Sequence, residues 1–461
     1  MTMLPLITHP SQDNVIAWNA DGAVTVRQFL ADVAVLSSAM LPGRYVLNIC
    51  CDRYRFSVAV AAALATEKIS LLPSSHTPEA VRQMKLFAPD MFCITDKICD
   101  ATHCSSADAD AATLDLPKLH YPAMPIASFH AQVIPTFNSQ QLVAIVFTSG
   151  STGIPTPHRK TWGNLVMSVQ AEAARIGLLN NPCPNTLIGT VPPQHMYGLE
   201  STVLMAWQSG HALCHAQPFF PADVCEALTK VPAPRVLVSS PVHLRALLEA
   251  DISLPNITNV ISATAPLSNE LATKIEARTN APVLEVYGST ETGLIATRRT
   301  TQTQEWHLLP GVKLINKDEH TYAYGGHVTE PIIMGDFIEL ISDKHFLLQG
   351  RLTDLVNIAG KRHSLACLNH LLNSIPGVTD GVFFMPDDTG ATSVTRLAAC
   401  VVATGMTSQQ LVAALRQCID PVFLPRPLLM LDSLPRNATG KLTRAAMQQI
   451  FGRQHGKLES T

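Results

Sequence analysis

Leu142-Val143-Ala144-Ile145-Val146-Phe147-Thr148-Ser149-Gly150-Ser151-Thr152-Gly153 sets an unbroken apolar run directly against a loop of glycines and hydroxyls. A short continuous apolar run bounded by turn residues is the pattern of a strand buried on both faces, as in a parallel sheet. Two glycines among four hydroxyl residues let a backbone approach closely and hydrogen-bond to phosphate oxygens, so the segment reads as a phosphate cradle at a strand's carboxyl end. A Walker loop would need Gly-Lys-Ser/Thr five residues after its first glycine, but Pro155 stands five after Gly150. No GxGxxG pattern is present either. The bland alternative is a solvated turn leading into the helix-like TWGNLVMSVQAEAARIG.

Outward from this stretch the same alternation continues in both directions. Upstream, YVLNIC, ISLLP and MFCITD alternate with the helix-like TVRQFLADVAVLSSAM and FSVAVAAALATE. Downstream, TLIGTV, HALCHA, RVLVSS, NVISAT and PVLEVYG alternate with ADVCEALTKV, PVHLRALLEA and SNELATKIEAR. Strands alternating with amphipathic helices predict an α/β architecture with doubly wound sheets. Residues 105–141, rich in Ala, Asp, Pro and Ser with weak periodicity, are expected to run over the surface. AYGGH and IIMGDFIELISDKHFLLQGR read as β-hairpin or barrel material, with Gly350-Arg351 as a candidate boundary. The expectation is a large N-terminal domain over 1–349 and a small, mobile α+β domain over 350–461.

The totals agree with a multidomain globular protein: 461 residues, 47% hydrophobic and 15% charged, with a mean hydropathy of +0.17. A net charge of −3 gives no field to attract nucleic acid or an anionic membrane, so any phosphate binding must be local. Eleven cysteines, odd in number and without a C-x-x-C pair, fit reduced thiols in the cytoplasm. The N-terminus lacks a basic region followed by an apolar core, and the apolar stretch at 58–65 is too short to span a bilayer.

Three further segments carry chemistry. Tyr287-Gly288-Ser289-Thr290-Glu291-Thr292-Gly293 follows the strand-like PVLEV, and open parallel sheets bind ligands at the carboxyl ends of their strands. Tyr287 could stack on a base, Glu291 offers a hard oxygen suited to Mg²⁺, and Ser289, Thr290 and Thr292 offer hydroxyls. Gly350 and Arg351 pair a flexible residue with a fixed cation, and Asp336, with Arg351, could hold the hydroxyls of a ribose. In LPRNATGKLTR, Lys441 follows a Thr-Gly turn and could bring a point charge to a carboxylate attacking phosphorus. Taken singly, each has a plain alternative: a polar loop, a surface ion pair, an exposed lysine.

TSGSTG, PPQHMYG, YGSTETG, MGD, GRLTD and ATGK, in this order over residues 142–444, resemble the adenylate-forming (AMP-binding) superfamily of acyl-CoA synthetases, aryl-CoA ligases and adenylation domains. The resemblance implies two half-reactions: a carboxylic acid and ATP give an acyl- or aryl-adenylate and pyrophosphate, and a thiol then displaces AMP. It implies ATP and Mg²⁺, with CoA or the phosphopantetheine of an acyl carrier protein as acceptor. Carried onto this chain, it gives the loop Thr148, Ser149, Gly150, Ser151, Thr152 and Gly153 to the phosphates, and Thr148 with Glu291 to the metal. Thr290 would serve the α-phosphate; Ala265, Pro266, Tyr287, Gly288 and Ser289 the nucleotide; Asp336 and Arg351 the ribose. Lys441 would drive adenylation, and His195 would gate the acyl site, with a helix-capping histidine as its rival reading.

The chain departs from the family pattern where TGxPKG is usual: it has TGIPTPHRKTW, with Thr156 in the lysine's place. Lys160 or Arg159 could restore a cation to the phosphates, or both could cap or solvate the next helix. This altered loop, together with a compact length, resembles carrier-loading ligases associated with aryl polyene or fatty acyl biosynthesis. By the family's layout the acid would lie among residues 195–198, 239–243, 262–265 and 286–288. No Asp there would meet an α-amino group, which favours an aryl or fatty acid over an amino acid. Two rivals stay open: a catalytically degenerate nucleotide-binding scaffold, which would show no pyrophosphate exchange, and a phosphotransferase, which would release ADP.

Overall fold

The computed structural model describes residues 2–73, 78–96, 116–121, 133–148, 156–250, 252–318, 320–351, 355–358, 361–386, 397–436, 442, 446–447 and 450. The chain divides into two compact units, one of residues 1–314 with 323–332 and one of residues 315–322 with 333–461.

The first unit is built on two sheets. One has the strand order Thr156–Thr161, Leu142–Thr148, Ile69–Leu72, Tyr45–Asn48, Phe92–Thr95, Lys118–His120, parallel throughout except for its first, edge strand. The second places Val283–Ser289, Asn259–Ser262, Arg235–Ser239, Thr186–Gly189, Ala212–Cys214 and Val15–Asn19 side by side, all parallel. Gly293–Arg298 then continues the sheet antiparallel to Val283–Ser289.

Helix Arg53–Ala65 lies between the two sheets, contacting strands of both. Its sequence accounts for that place: residues 56–64 are all buried and small or apolar, and a helix hydrophobic all round belongs in a core. Asp52 caps it by accepting from the Arg55 N–H, and the helix opens on the fully buried Arg53. The Arg53 guanidinium donates to Gly189 O at 2.7 Å and to Thr202 Oγ1 at 2.8 Å, so a cation with no exposed surface is held by a carbonyl at the end of strand Thr186–Gly189 and a hydroxyl of the helical turn Leu199–Leu204. Burial lowers its pKa to about 10, which leaves it charged.

Most of the alternating pattern in the sequence is present as strands and helices at the expected places. Two segments differ. Within 105–141, expected to wander, Lys118–His120 forms the far edge of the first sheet and Thr136–Asn138 pairs with Met3–Pro5. The segment after the phosphate loop, for which no strand was expected, is the strand Thr156–Thr161, antiparallel to Leu142–Thr148. Pro157 is tolerated there because the strand lies at the sheet edge, where a missing N–H breaks no second ladder. Thr161 ends the strand and caps helix Trp162–Arg175, its hydroxyl accepting from the Asn164 N–H at 3.3 Å.

The second unit is α+β. Asp380–Phe384, Ala398–Val402 and Leu428–Met430 form a sheet that packs with helices Leu365–Asn373 and Ser408–Cys418 around Leu368, Leu372, Phe383, Leu411 and Leu415. The hairpin Asp336–Leu340 with His345–Arg351 belongs to the same unit. Among the described residues no helix is long and apolar enough to cross a membrane.

Candidate active site

The carboxyl ends of the first unit's parallel strands carry the predicted residues. Leu142–Thr148 ends on Thr148, whose Cα pairs with that of Thr156 across the antiparallel ladder, so the two strands close the base of the intervening loop. Ser149, Gly150, Ser151, Thr152 and Gly153 of that loop lie outside the described residues.

The acidic loop is a tight hairpin. Val283–Ser289 runs into Gly293–Arg298 with Ser289 opposite Gly293. A Cβ at Gly288 would stand 2.2 Å from the Gly293 carbonyl, so only glycine permits this approach. The Ser289 N–H donates to Thr292 Oγ1 at 3.1 Å, the Thr292 N–H donates to Ser289 Oγ at 3.2 Å, and Thr292 Oγ1 donates to Gly293 O at 2.8 Å. The hydroxyls of Ser289 and Thr292 are therefore engaged in closing the loop, which leaves Thr290 and Glu291 at its tip.

Two basic residues meet that tip: His158, which sequence reasoning missed, and Lys160, which it offered as a cation for the phosphates. His158 Nε2 lies 2.9 Å from Thr148 Oγ1 and 3.6 Å from Glu291 Oε1. It thus stands between the two residues expected to serve the metal. Burial lowers the pKa of His158 while the Glu291 carboxylate raises it. Lys160, 6% exposed, donates from Nζ to the Glu291 carbonyl at 3.0 Å. Its ammonium is thereby directed to the backbone of the acidic loop. Burial lowers its pKa, against the pull of Glu200 and Glu291. The sequence signal for this pair was the spacing of His158 and Lys160, because residues two apart on a strand share a face.

Behind the loop lies a buried polar cluster. Glu200, on the π-helical turn Leu199–Leu204, accepts from Ser168 Oγ at 2.9 Å, and Glu172 accepts from Ser201 Oγ at 2.9 Å. Burial pushes Glu200 up to about 7 and Glu172 up to about 8. The buried His327 imidazole is pushed down to about 4, first by burial and then by the charge of Lys160. Gly293, at φ +72°, lies over both: a Cβ there would be 3.4 Å from Glu200 Oε1 and 3.5 Å from the His327 ring.

Ala265, Pro266, Tyr287 and His195 fall around the same strand ends. Thr264, at φ +78°, turns the chain after strand Asn259–Ser262, setting Ala265 half-buried and Pro266 exposed. Tyr287 is half-buried, its ring 5.4 Å from that of Trp306, over which the Arg298 guanidinium lies at 4.4 Å. His195 is the N-cap of the short helix Met196–Gly198, its Nδ1 accepting from the Tyr197 N–H at 3.3 Å. The buried Tyr197 hydroxyl lies 3.2 Å from both Ser239 O and Ile261 O, tying the His195 segment to two neighbouring strand ends.

In the second unit, Asp336 and Arg351 are Cα partners across their hairpin, and Gly350 beside Arg351 has φ +124°. Lys441 lies outside the described residues. Its neighbour Leu442 bridges to Arg436, whose guanidinium makes a forked pair with Asp380 at 2.6 and 2.7 Å.

Comparison with known proteins places this arrangement. The AMP-binding enzyme family profile matches residues 42–321. The 4-coumarate–CoA ligase of Rhodobacter capsulatus is 29% identical over 241 residues, 52% of this chain and 60% of that one. Human mitochondrial acyl-coenzyme A synthetase ACSM2A is 25% identical over 371 residues, 69% of this chain and 63% of that one. The 4-chlorobenzoate–CoA ligase of an Arthrobacter species is 25% identical over 358 residues, 67% of this chain and 66% of that one. The chain thus spans under two thirds of these relatives' length. Among solved structures, ATP-bound MatB of Rhodopseudomonas palustris superposes with a TM-score of 0.79 at 18% identity, over 96% of this chain and 97% of that one. The o-succinylbenzoate CoA synthetase of Bacillus subtilis, in complex with its acyl-adenylate intermediate, gives 0.78 at 18% identity, over 97% and 99%. The fold is that of the adenylate-forming enzymes, and the chain belongs to the AMP-binding enzyme family.

Proposed function

We propose that this protein is an AMP-forming acid–thiol ligase: it joins a carboxylic acid to the α-phosphate of ATP, releases pyrophosphate, and passes the acyl or aryl group to a phosphopantetheine thiol. The observation that carries this reading is the meeting of Thr148, His158 and Glu291, which joins the end of the phosphate-loop strand to the tip of the acidic loop. The names of the relatives, ligases of coumarate, chlorobenzoate and acyl groups with CoA, support the same chemistry.

The half-exposed Glu291 carboxylate and the Thr148 hydroxyl are hard oxygens, and Mg²⁺ takes few protein ligands beside waters and substrate phosphates, so these two residues fit that ion. Bound there, Mg²⁺ would neutralise charge on the phosphates. The chain's own residues do the rest. The loop from Thr148 to Gly153 holds the phosphates with its backbone and hydroxyls, and Thr290 hydrogen-bonds the α-phosphate. Tyr287 covers one face of the adenine, with Ala265 and Pro266 at its edge, while Asp336 and Arg351 bind the ribose hydroxyls. Lys441, on a small domain that pivots at Gly350-Arg351, brings an ammonium to the attacking carboxylate, one of whose oxygens bonds to the α-phosphorus as the bond to pyrophosphate breaks and the charge leaves on pyrophosphate. The acid lies beside His195 and the ends of strands Arg235–Ser239 and Asn259–Ser262, a lining suited to an aryl or fatty acid.

Incubation with ATP, Mg²⁺ and a mixture of benzoates, hydroxycinnamates and fatty acids, with CoA in one arm and a phosphopantetheinylated carrier protein in the other, tests this reading. Mass spectrometry identifies acid and acceptor together. AMP and a thioester are expected. ADP as the nucleotide product, or ATP binding with no exchange for any acid, overturns it.

A further inference from the structure

The strand Thr156–Thr161 places Thr156, His158 and Lys160 on one face, since side chains alternate along a strand. The first of these is where the family's phosphate-loop lysine is missing. The next two are basic, and both reach the same residue from different sides. His158 Nε2 is 3.6 Å from the Glu291 carboxylate and 2.9 Å from the Thr148 hydroxyl. Lys160 Nζ donates to the Glu291 carbonyl at 3.0 Å from a position 6% exposed.

The loop's own bonds do not fix Glu291. The Ser289–Thr292 staple closes the hairpin on either side of the tip, and Gly288 sets the approach of its two strands, but none of these bonds touches residue 291. Among the described residues, the groups from outside the loop that meet Glu291 are the His158 imidazole, 3.6 Å from its carboxylate, and the Lys160 ammonium, which donates to its carbonyl. Lys160 is itself buried, with the buried Glu200 near enough for its charge to act on the ammonium. A buried ammonium whose bond goes to a loop carbonyl is a device for setting that loop.

We propose that His158 and Lys160 form a two-point clamp on Glu291, orienting its carboxylate and its backbone, and that this clamp takes over the organising role of the cation absent at Thr156. Both are positioning residues. They act through Glu291 and Thr148 on the metal and phosphates, and the inference rests on the adenylating reading above. Partners that orient a metal ligand typically cost about 10–100-fold in metal affinity or activity when removed.

The test uses the full chain and its Lys160→Met, Lys160→Arg and His158→Ala variants. Mn²⁺ affinity in the presence of ATP is followed by electron paramagnetic resonance, alongside acid-dependent pyrophosphate exchange and the melting temperature. Lys160→Met, which keeps the stem and removes the ammonium, is expected to weaken Mn²⁺ and lower kcat by about 10–100-fold with little change in KM for the acid. Lys160→Arg restores most of both. His158→Ala, at a half-buried position, weakens Mn²⁺ with little change in melting temperature, and decides the matter if Lys160→Met does not fold. Unchanged Mn²⁺ affinity in either folded variant overturns the clamp, as does an Arg variant as defective as the Met one. A wild-type enzyme that exchanges pyrophosphate with no acid while Lys160→Met still loses Mn²⁺ sinks the ligase reading and leaves the clamp standing.

Discussion

Two sets of buried carboxyl groups flank the acidic hairpin, and they are built on opposite plans. Glu285, 3% exposed on the strand leading into the loop, accepts from Arg298 Nε at 2.7 Å, Thr300 Oγ1 at 2.9 Å and the Leu267 N–H at 2.8 Å. Glu200 and Glu172, 1% and 0% exposed behind the loop, take one serine hydroxyl each, and Glu172 Oε2 has no partner among the described residues. Burial raises the pKa of all three, but at Glu285 a cation and three donors work against it. Against burial Glu285 has the Arg298 cation with two further donors and Glu200 has the charge of Lys160 with one hydroxyl, whereas Glu172 has a single hydroxyl beside the like charge of Glu200. The first arrangement pins the loop segment of Ala265 and Pro266 to the strand that carries Tyr287. The second places Glu200 within the field of Lys160, whose ammonium donates to the Glu291 carbonyl.

The largest expected effect tests that difference directly. Glu285→Ala strands the mostly buried Arg298 and the Leu267 N–H, and breaking a buried pair from one side costs about 3–5 kcal/mol. Glu200→Gln replaces a carboxyl group near its titration point by a neutral isostere, so it should cost about 1 kcal/mol or less. Urea unfolding of the two variants measures both, and equal losses would erase the contrast.

The neutral cluster also has a pH signature. The folded-state pKa values of Glu200 and Glu172, about 7 and about 8, lie above the ordinary glutamate value of 4.5. The unfolded chain therefore ionises first as pH rises, so their contribution is complete below the unfolded value and is lost as pH climbs toward 7 and 8. Each group costs on the order of 1.4 kcal/mol per pH unit in that window. Glu172→Gln should remove one share of this slope and leave the protein more stable than wild type at pH 8. Denaturant midpoints at pH 5, 6, 7 and 8 decide, and an unaltered slope in Glu172→Gln means that the cluster is ionised.

How much of this was open to sequence reading depends on whether the information was local. The strands Leu142–Thr148 and Val283–Ser289 and the loop after the second announce themselves in consecutive residues, as apolar runs ending in glycines and hydroxyls. Strand Thr156–Thr161 did not, because TPHRKT carries three basic residues and a proline and has its apolar support only in the neighbouring strand. Strands Lys118–His120 and Thr136–Asn138 are three-residue edge pieces, too short for any period to show. Lys160 was legible as a cation near the phosphate loop, but its target, 131 positions away in sequence, is set by how the two sheets of the first unit meet. Glu200, Glu172 and His327 gave no sign, since a lone acid or histidine in an apolar stretch reads as solvated until packing buries it. Glu285 was hidden for the same reason: its partner Arg298 comes from the returning strand.

Effects smaller than the loss of Glu285 come from the two glycines of the hairpin, one on each side of the contrast. At Gly288, on the strand of Glu285, an alanine methyl would stand 2.2 Å from a backbone carbonyl, so Gly288→Ala must part the two strands and should cost about 1–3 kcal/mol as an overpacked site does. Parting them also moves Tyr287, so weaker binding of ATP should accompany the lost stability. At Gly293, above Glu200, the nearest side-chain atoms are 3.4 and 3.5 Å away, and the cost of Gly293→Ala is mainly that of holding a Cβ at φ +72°, about 1 kcal/mol. Its methyl faces Glu200 and His327, so the expected signature is a small fall in melting temperature with ATP binding intact. If Gly293→Ala proved the costlier of the two, the neutral cluster rather than the Glu285 ion pair would be the rigid side of the hairpin, and the assignment of roles to the two carboxyl sets would be reversed.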